Sequence, residues 1–355
     1  MLQGKHRYRS FRANQARRLL LRRLESDRRR TIRRKCKALG VPFIIKKGRA
    51  YKNCLRKQTV TVFVPRNFEL LKNFENIFNF VNGLVDMHSN RKLKQINLDM
   101  TDVCQIDSAA VCLLLSVVSE LTNHGIKVVG NYPDNKECAK IFMESGFLAY
   151  MKDETGHAIT LDTPNLIVET GKAQTRNREI AKAIKKSMLA LTGVERRFQP
   201  AYTVAMEICS NSVEHAYGKR PKHWRLGAYK LDDRIAFTMS DTGVGILNTL
   251  YRKHRHEIVD KLRLRDNSSI LYRAFQRKYG SSTQLVNRNK GLPCILDKFE
   301  NGYIKNLKVL TNNVFLDFQN RDVSRLLKNS FSGVLFYWEV DLDCLRRFDN
   351  NVIDN

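Results

Sequence analysis

The stretch Glu207-Ile-Cys-Ser-Asn211-Ser-Val-Glu-His215-Ala-Tyr-Gly218 decides the reading of this chain. Residues four apart share one face of a helix, so Glu207, Asn211 and His215 form a polar row on a helix over about 198–217. The same helix carries Val204, Ile208 and Val213, which need a core. Two readings of the row stand open. It faces solvent, or it is buried and every member needs a partner, because an unpaired acid or amide inside a protein costs several kcal/mol.

Working outward, Arg225–Lys230 and Arg234–Ser240 read as strands, and the second runs into Asp241-Thr-Gly243-Val-Gly245-Ile246. A carboxylate at a strand end can accept a hydrogen bond from a purine amino group. Glycines after it let the backbone approach a base and ribose without a Cβ clash. Further on come Gly280-Ser-Ser282-Thr283 and Asn289-Lys290-Gly291-Leu292-Pro293, the latter opening a helix near 292–300. Backbone N–H groups at a helix start favour phosphate oxygens, and Lys290 adds charge. A helix over 178–191 precedes this set; helical stretches near 255–264 and 268–279 interrupt it. Strands near 303–311, 313–318 and 334–341 close it.

In this order and spacing the three segments resemble the Bergerat-fold (GHKL) ATPases, which include the histidine kinases, MutL and the anti-sigma-factor serine kinases. Glu207-x-x-x-Asn211 is similar to the family's N box, Asp241-x-Gly243-x-Gly245 to its G1 box, and Lys290-Gly291-Leu292 to its G2 box. Glu207 to Gly218 is most similar to the anti-sigma kinase branch. The resemblance implies an α/β (α+β) chain whose residues 175–345 form an α/β sandwich with a mixed sheet. It further implies bound ATP and Mg²⁺, with Asn211 ligating the Mg²⁺ that bridges the phosphates and Asp241 holding the adenine amino group. Glu207 would be the general base; Gly243, Gly245, Ser282, Thr283, Lys290, Gly291 and Leu292 would line the nucleotide, and residues 247–289 would be the lid over the phosphates. One position departs: Asn289 stands where the family has the first glycine of Gly-x-Gly-Leu. Asn tolerates left-handed backbone better than most residues. The lid is also longer than anti-sigma kinases have.

Residues 59–150 alternate strand and helix. Thr59–Val64 alternates until Pro65; Phe68, Leu71, Phe74, Ile77, Phe78, Val81 and Val85 recur at helical spacing. Strands at 95–100 and 127–130 and helices at 108–123 and 134–145 follow, a sheet covered by helices. Leu98-Asp-Met100, Ile106-Asp107-Ser108-Ala109-Ala110, Gly125-Ile-Lys-Val-Val-Gly130 and Phe142-x-x-Ser145-Gly146-Phe147 resemble a STAS domain, the fold of anti-sigma-factor antagonists. That resemblance implies a phosphorylated hydroxyl at this helix; Ser108 is present, while Ala109 and Ala110 depart from the usual pattern. Ser108 alternatively caps the helix, a common role for serine. Residues 151–174 read as a connector.

The net charge of +28 is uneven: residues 1–58 hold 21 of the 63 Lys and Arg against two acids, Glu25 and Asp27. This helical or partly disordered arm has the footprint of nucleic-acid binding through phosphates; an acidic protein, a membrane surface or no specific partner are the other readings. Its few aromatics leave little base stacking. No apolar run reaches the ~20 residues that span a bilayer, and no secretion signal is visible. The eight Cys form no C-x-x-C pair, which fits a reduced, cytoplasmic setting. His254 and His256 lack further metal ligands at suitable spacing.

Together these features lead to the expectation of a regulatory ATP-binding protein that phosphorylates or clamps a protein partner, a homodimer being compatible with it. The alternatives are an ATP-gated nucleic-acid-binding protein with MutL-like logic, and a binding module with a degenerate ATP site.

Overall fold

The computed structural model describes residues 58–87, 93–151, 157, 159, 166–172, 176–215, 223–241, 243–253, 266–276 and 291–353. The basic arm, much of the 151–174 connector, His254 and His256 lie outside them. The chain is α/β, with parallel and antiparallel ladders.

In the first unit, β1 (Thr59–Phe63), β3 (Gln95–Asp99) and β5 (Lys127–Gly130) make a parallel sheet in the order β1-β3-β5. A small parallel pair, β2 (Asn67–Phe68) with β4 (Gln105–Ile106), sits beside it. Parallel neighbours need crossovers, and α1 (Leu70–Asp86) and α2 (Ser108–Asn123) supply them; α3 (Lys136–Glu144) follows β5. Asp107, not Ser108, is the N-cap of α2: its side chain accepts from the Ala110 amide at 2.7 Å. The same carboxyl accepts from the Leu71 amide at 3.2 Å, so one residue ties together the starts of α1 and α2. Its two carboxyl oxygens each take one orphan N–H group, one from each helix. Crowding by protein pushes the Asp107 carboxyl up to about 6, against the hydrogen bonds from Ala110, Leu71 and Leu70.

The second unit is a five-stranded sheet in the order β6-β7-β8-β10-β9, made of β6 (Leu166–Lys172), β7 (His223–Lys230), β8 (Arg234–Asp241), β9 (Lys305–Asp317) and β10 (Arg325–Asp341). Each adjacent pair in this sheet is antiparallel, so the mixed pairing expected within it is instead divided between the two sheets. Short links such as Leu231–Asp233 between β7 and β8 allow no other pairing. On one face lie α4 (Asn177–Thr192), α5 (Gln199–His215), α7 (Asn267–Phe275) and α8 (Gly291–Glu300), with α6 (Ile246–Lys253) after β8 and α9 (Leu342–Ile353) closing the chain. Trp224, Phe237, Met239, Phe336 and Trp338 point to these helices and join Ile184, Val204, Ile208, Phe275 and Ile295 in one core.

The other face of this sheet is covered by the first unit. Ala236, Leu310, Phe315, Phe331, Leu335 and Tyr337 belong to the same buried cluster as α1 and α2. Phe74 stacks on Phe315 with ring centroids 4.7 Å apart, and Phe78 lies 5.4 Å from Phe331. Helix α2 is therefore pressed between two sheets, and its residues Ala109 to Val118 are buried on every side. A helix that is apolar all round is a buried helix. The molecule has four layers: small sheet, α1 and α2, five-stranded sheet, helices.

The strands expected at 303–311 and 313–318 are one strand, β9, whose alternation reverses at Asn312. Leu307 and Val309 face the helix-side core before it, and Val314 and Leu316 face that core after it. Asn312 has φ 53°, the left-handed region, which is the backbone of a bulge.

Candidate functional site

Helix α5 carries Glu207 and Asn211 one turn apart, both half-buried. Of the two readings of the polar row, the structure favours the interior one for Asn211: its Nδ2 is buried and has no hydrogen-bond partner among the described residues. Gly291, the first residue of α8, lies against it; a Cβ there would sit 3.5 Å from the Asn211 Oδ1. The neighbouring Ser212 reaches β8, its hydroxyl 2.6 Å from the Asp241 Oδ2.

Asp241 ends β8 and is buried. Odd-numbered residues of this strand face the helices, as alternation requires, which aims Asp241 at α5 with Ile235, Phe237 and Met239. Its Oδ1 accepts from the Gly243 amide at 2.8 Å and the Val334 amide at 3.2 Å. Burial pushes the carboxyl above its ordinary range; Ser212, Gly243 and Val334 pull it back down.

The turn after Asp241 is clamped from β9. Gly245 has φ 86°, and a Cβ on it would come 2.4 Å from the Asn312 Oδ1, so the position excludes a side chain twice over. Asn312 donates to the Val244 carbonyl at 3.0 Å and accepts from the Leu247 amide at 3.1 Å, while the Thr311 hydroxyl accepts from the Ile246 amide at 2.9 Å. These two residues cap α6. Behind Asp241, Gly333 (φ 128°) passes so close that a Cβ would lie 2.1 Å from the Asp241 carbonyl oxygen.

The structure thus brings the three motif segments together: Ser212 joins α5 to Asp241, and Asn211 faces Gly291. Leu292 packs on the helix-side core. Ser282, Thr283 and Lys290 lie outside the described residues. Of the stretch expected as a lid, α6 and α7 are built into the core through Leu247, Ile270, Leu271 and Phe275. They are also tied to β9, with Tyr251 donating to Asn267 at 2.6 Å and Asn267 to Asn313 at 2.7 Å. The rest of the stretch, 254–265 and 277–289, lies outside the described residues.

Sequence reasoning missed Ser212, Thr311, Asn312 and Gly333. Thr311-Asn312-Asn313 did leave a signal, a polar run breaking an otherwise apolar alternation.

Among the described residues there is no cluster of three or more His, Cys, Asp or Glu placed to hold a metal, and no helix is long and apolar enough to cross a membrane. No protein-family model matches the chain, and no curated protein matches it. A reading of the site therefore stands on its own residues.

Proposed function

We propose that the second unit binds Mg²⁺ and ATP between α5, the turn after β8 and the start of α8, and that this binding switches the protein's action on a protein partner. The observation that carries the reading is the Asn211 amide, its Nδ2 buried and without a hydrogen-bond partner among the described residues, facing the first residue of a helix. Leaving a buried donor unpaired costs about 1–3 kcal/mol, and phosphate oxygens beside it would remove that penalty. The Asn211 carbonyl oxygen is a hard donor of the kind Mg²⁺ takes, so the residues present suit the metal. Bound there, Mg²⁺ would neutralise charge on the phosphates.

Each residue then has a defined task. Asp241, held by Ser212 and two backbone amides, reads the base. Asn312 fixes the Gly243–Gly245 turn so that backbone can lie against base and ribose. Glu207, one turn before Asn211, is the carboxylate available to take a proton from an attacking hydroxyl or water. The shared core supports a switch: β8 carries Asp241 towards the nucleotide side and Ser240 towards α2, so displacement of one strand is felt by both units.

Titration calorimetry of ATP with and without Mg²⁺ tests the reading. A Mg²⁺-dependent binding isotherm abolished by Asn211→Ala supports it; no heat of binding under either condition sinks it. A phosphotransfer assay run beside it separates kinase action from hydrolysis or simple clamping.

A further inference from the structure

Ser212 makes two oxygen contacts with one hydrogen. Its Oγ lies 3.0 Å from the Ile208 carbonyl oxygen, the backward bond common for serine in helices, and 2.6 Å from the Asp241 Oδ2. If Asp241 were a carboxylate, the hydroxyl hydrogen would satisfy one acceptor and leave lone pairs facing each other at the second. A hydrogen on Oδ2 resolves both contacts: Asp241 donates to Ser212, and Ser212 donates to Ile208. The other carboxyl oxygen fits the same assignment, since Oδ1 accepts two backbone N–H bonds as the carbonyl oxygen of a neutral acid does.

From this geometry we infer that Asp241 is a neutral carboxylic acid donating to Ser212 in the unliganded protein, and that a base with an exocyclic amino group enters by displacing that proton to solvent. The elements packed on Asp241 present the Ser212 hydroxyl from α5, the Gly243 amide from the turn, the Val334 amide from β10 and the apolar Trp224 opposite it on β7. The two amide donors favour the charged form; burial outweighs them and raises the carboxyl above its ordinary range. A carboxylic acid kept neutral near pH 7 by an apolar site is an attested device.

The proton balance is simple. Oδ2–H loses its proton to the buffer, the Ser212 hydroxyl rotates from Ile208 to donate to Oδ2, and the remaining lone pair of Oδ2 accepts an amino hydrogen of the base. Ser212 is thus a positioning residue for base recognition. The entry step rests on the nucleotide reading above; the protonation state of the free protein does not.

Two measurements test it. The first uses the unliganded protein: difference infrared spectra of wild type against Asp241→Asn at pH 7. The inference expects a protonated-carboxyl C=O band that the variant lacks, and an unchanged melting temperature, because an amide places an N–H donor where the acid has its O–H. Absence of the band, or a variant that melts markedly lower, overturns it whatever becomes of the nucleotide reading. The second is calorimetry of Mg·ATP in buffers of different ionisation enthalpy. It expects release of about one proton per nucleotide and affinity rising about tenfold per pH unit while the acid stays protonated. Tight ATP binding with no proton release overturns the entry step while leaving the ATP site intact.

Discussion

The Ser240 hydroxyl lies 2.7 Å from that of Ser116, on a helix of the other unit, one residue before the carboxyl that faces α5. Ser116 donates to the Cys112 carbonyl at 3.1 Å, so Ser240 is the donor between them. Arg225, opposite Ser240 on β7, donates to Ser119 further along the same helix. A polar seam therefore runs through the junction beside the aromatic contacts of α1.

This junction makes the two units one folding body. Phe78→Ala would lose about 3–5 kcal/mol by opening a cavity against Phe331, whereas Ser240→Ala would lose about 1 kcal/mol, the worth of one hydrogen bond. Urea denaturation followed by near- and far-ultraviolet circular dichroism should give a single coincident transition for wild type. Separate transitions would show that the shared core does not couple them.

Asn211→Ala should leave stability within about 0.5 kcal/mol of wild type, since the amide nitrogen it removes bonds to none of the described residues. Mg·ATP binding should vanish in the same protein. Glu207→Ala should bind ATP and fail to turn it over; normal turnover by that variant would remove Glu207 from the role of base.

Two glycines should differ in their tolerance of a methyl group. Gly245→Ala meets the Asn312 amide, a side chain that can yield at the expense of its bonds to Val244 and Leu247. Gly333→Ala meets the backbone oxygen of Asp241 at 2.1 Å, which cannot yield without moving β8. Strained backbone of this kind costs about 1–3 kcal/mol before any clash is counted. Thermal melts should rank Gly333→Ala well below Gly245→Ala, and the double variant Gly245→Ala/Asn312→Ala should recover part of the loss in contact energy.

Asp107 should leave a mark on the pH dependence of stability. Its folded value of about 6 lies above the ordinary 3.8. Folding therefore favours the protonated form: this contribution is fully present below pH 3.8 and is lost as pH rises through about 6. Asp107→Asn keeps a capping oxygen for Ala110 and should flatten the stability profile across that window, measured by denaturation at pH 4, 5, 6 and 7.

Much of the site was legible before any fold was known. The Glu207–Asn211 spacing, the Asp241 glycine turn and the Gly291 helix start are local patterns, and local backbone geometry is enough to put each on its element. The extent of β9 was not legible, because a bulge at Asn312 mimics the end of one strand and the start of another. Asp107 was read as flanking a serine cap; only its distance from Leu71 shows that it serves two helices.

The sequence by itself determined the α/β alternation, the helix that carries Glu207 and Asn211, and the elements that hold the three motif segments, since these follow from periodicities of 3.6 and 2. Even the all-round apolarity of Ala109 to Val118 was there to be read, without saying what would cover it. Tertiary structure alone decided that α2 lies between two sheets, that Ser212 meets Asp241, and that Asn312 and Gly333 shape the turn around it. These are meetings of residues far apart in the chain, 124 positions in the case of Ser116 and Ser240. No local propensity encodes such a pairing; the packing of whole faces selects it.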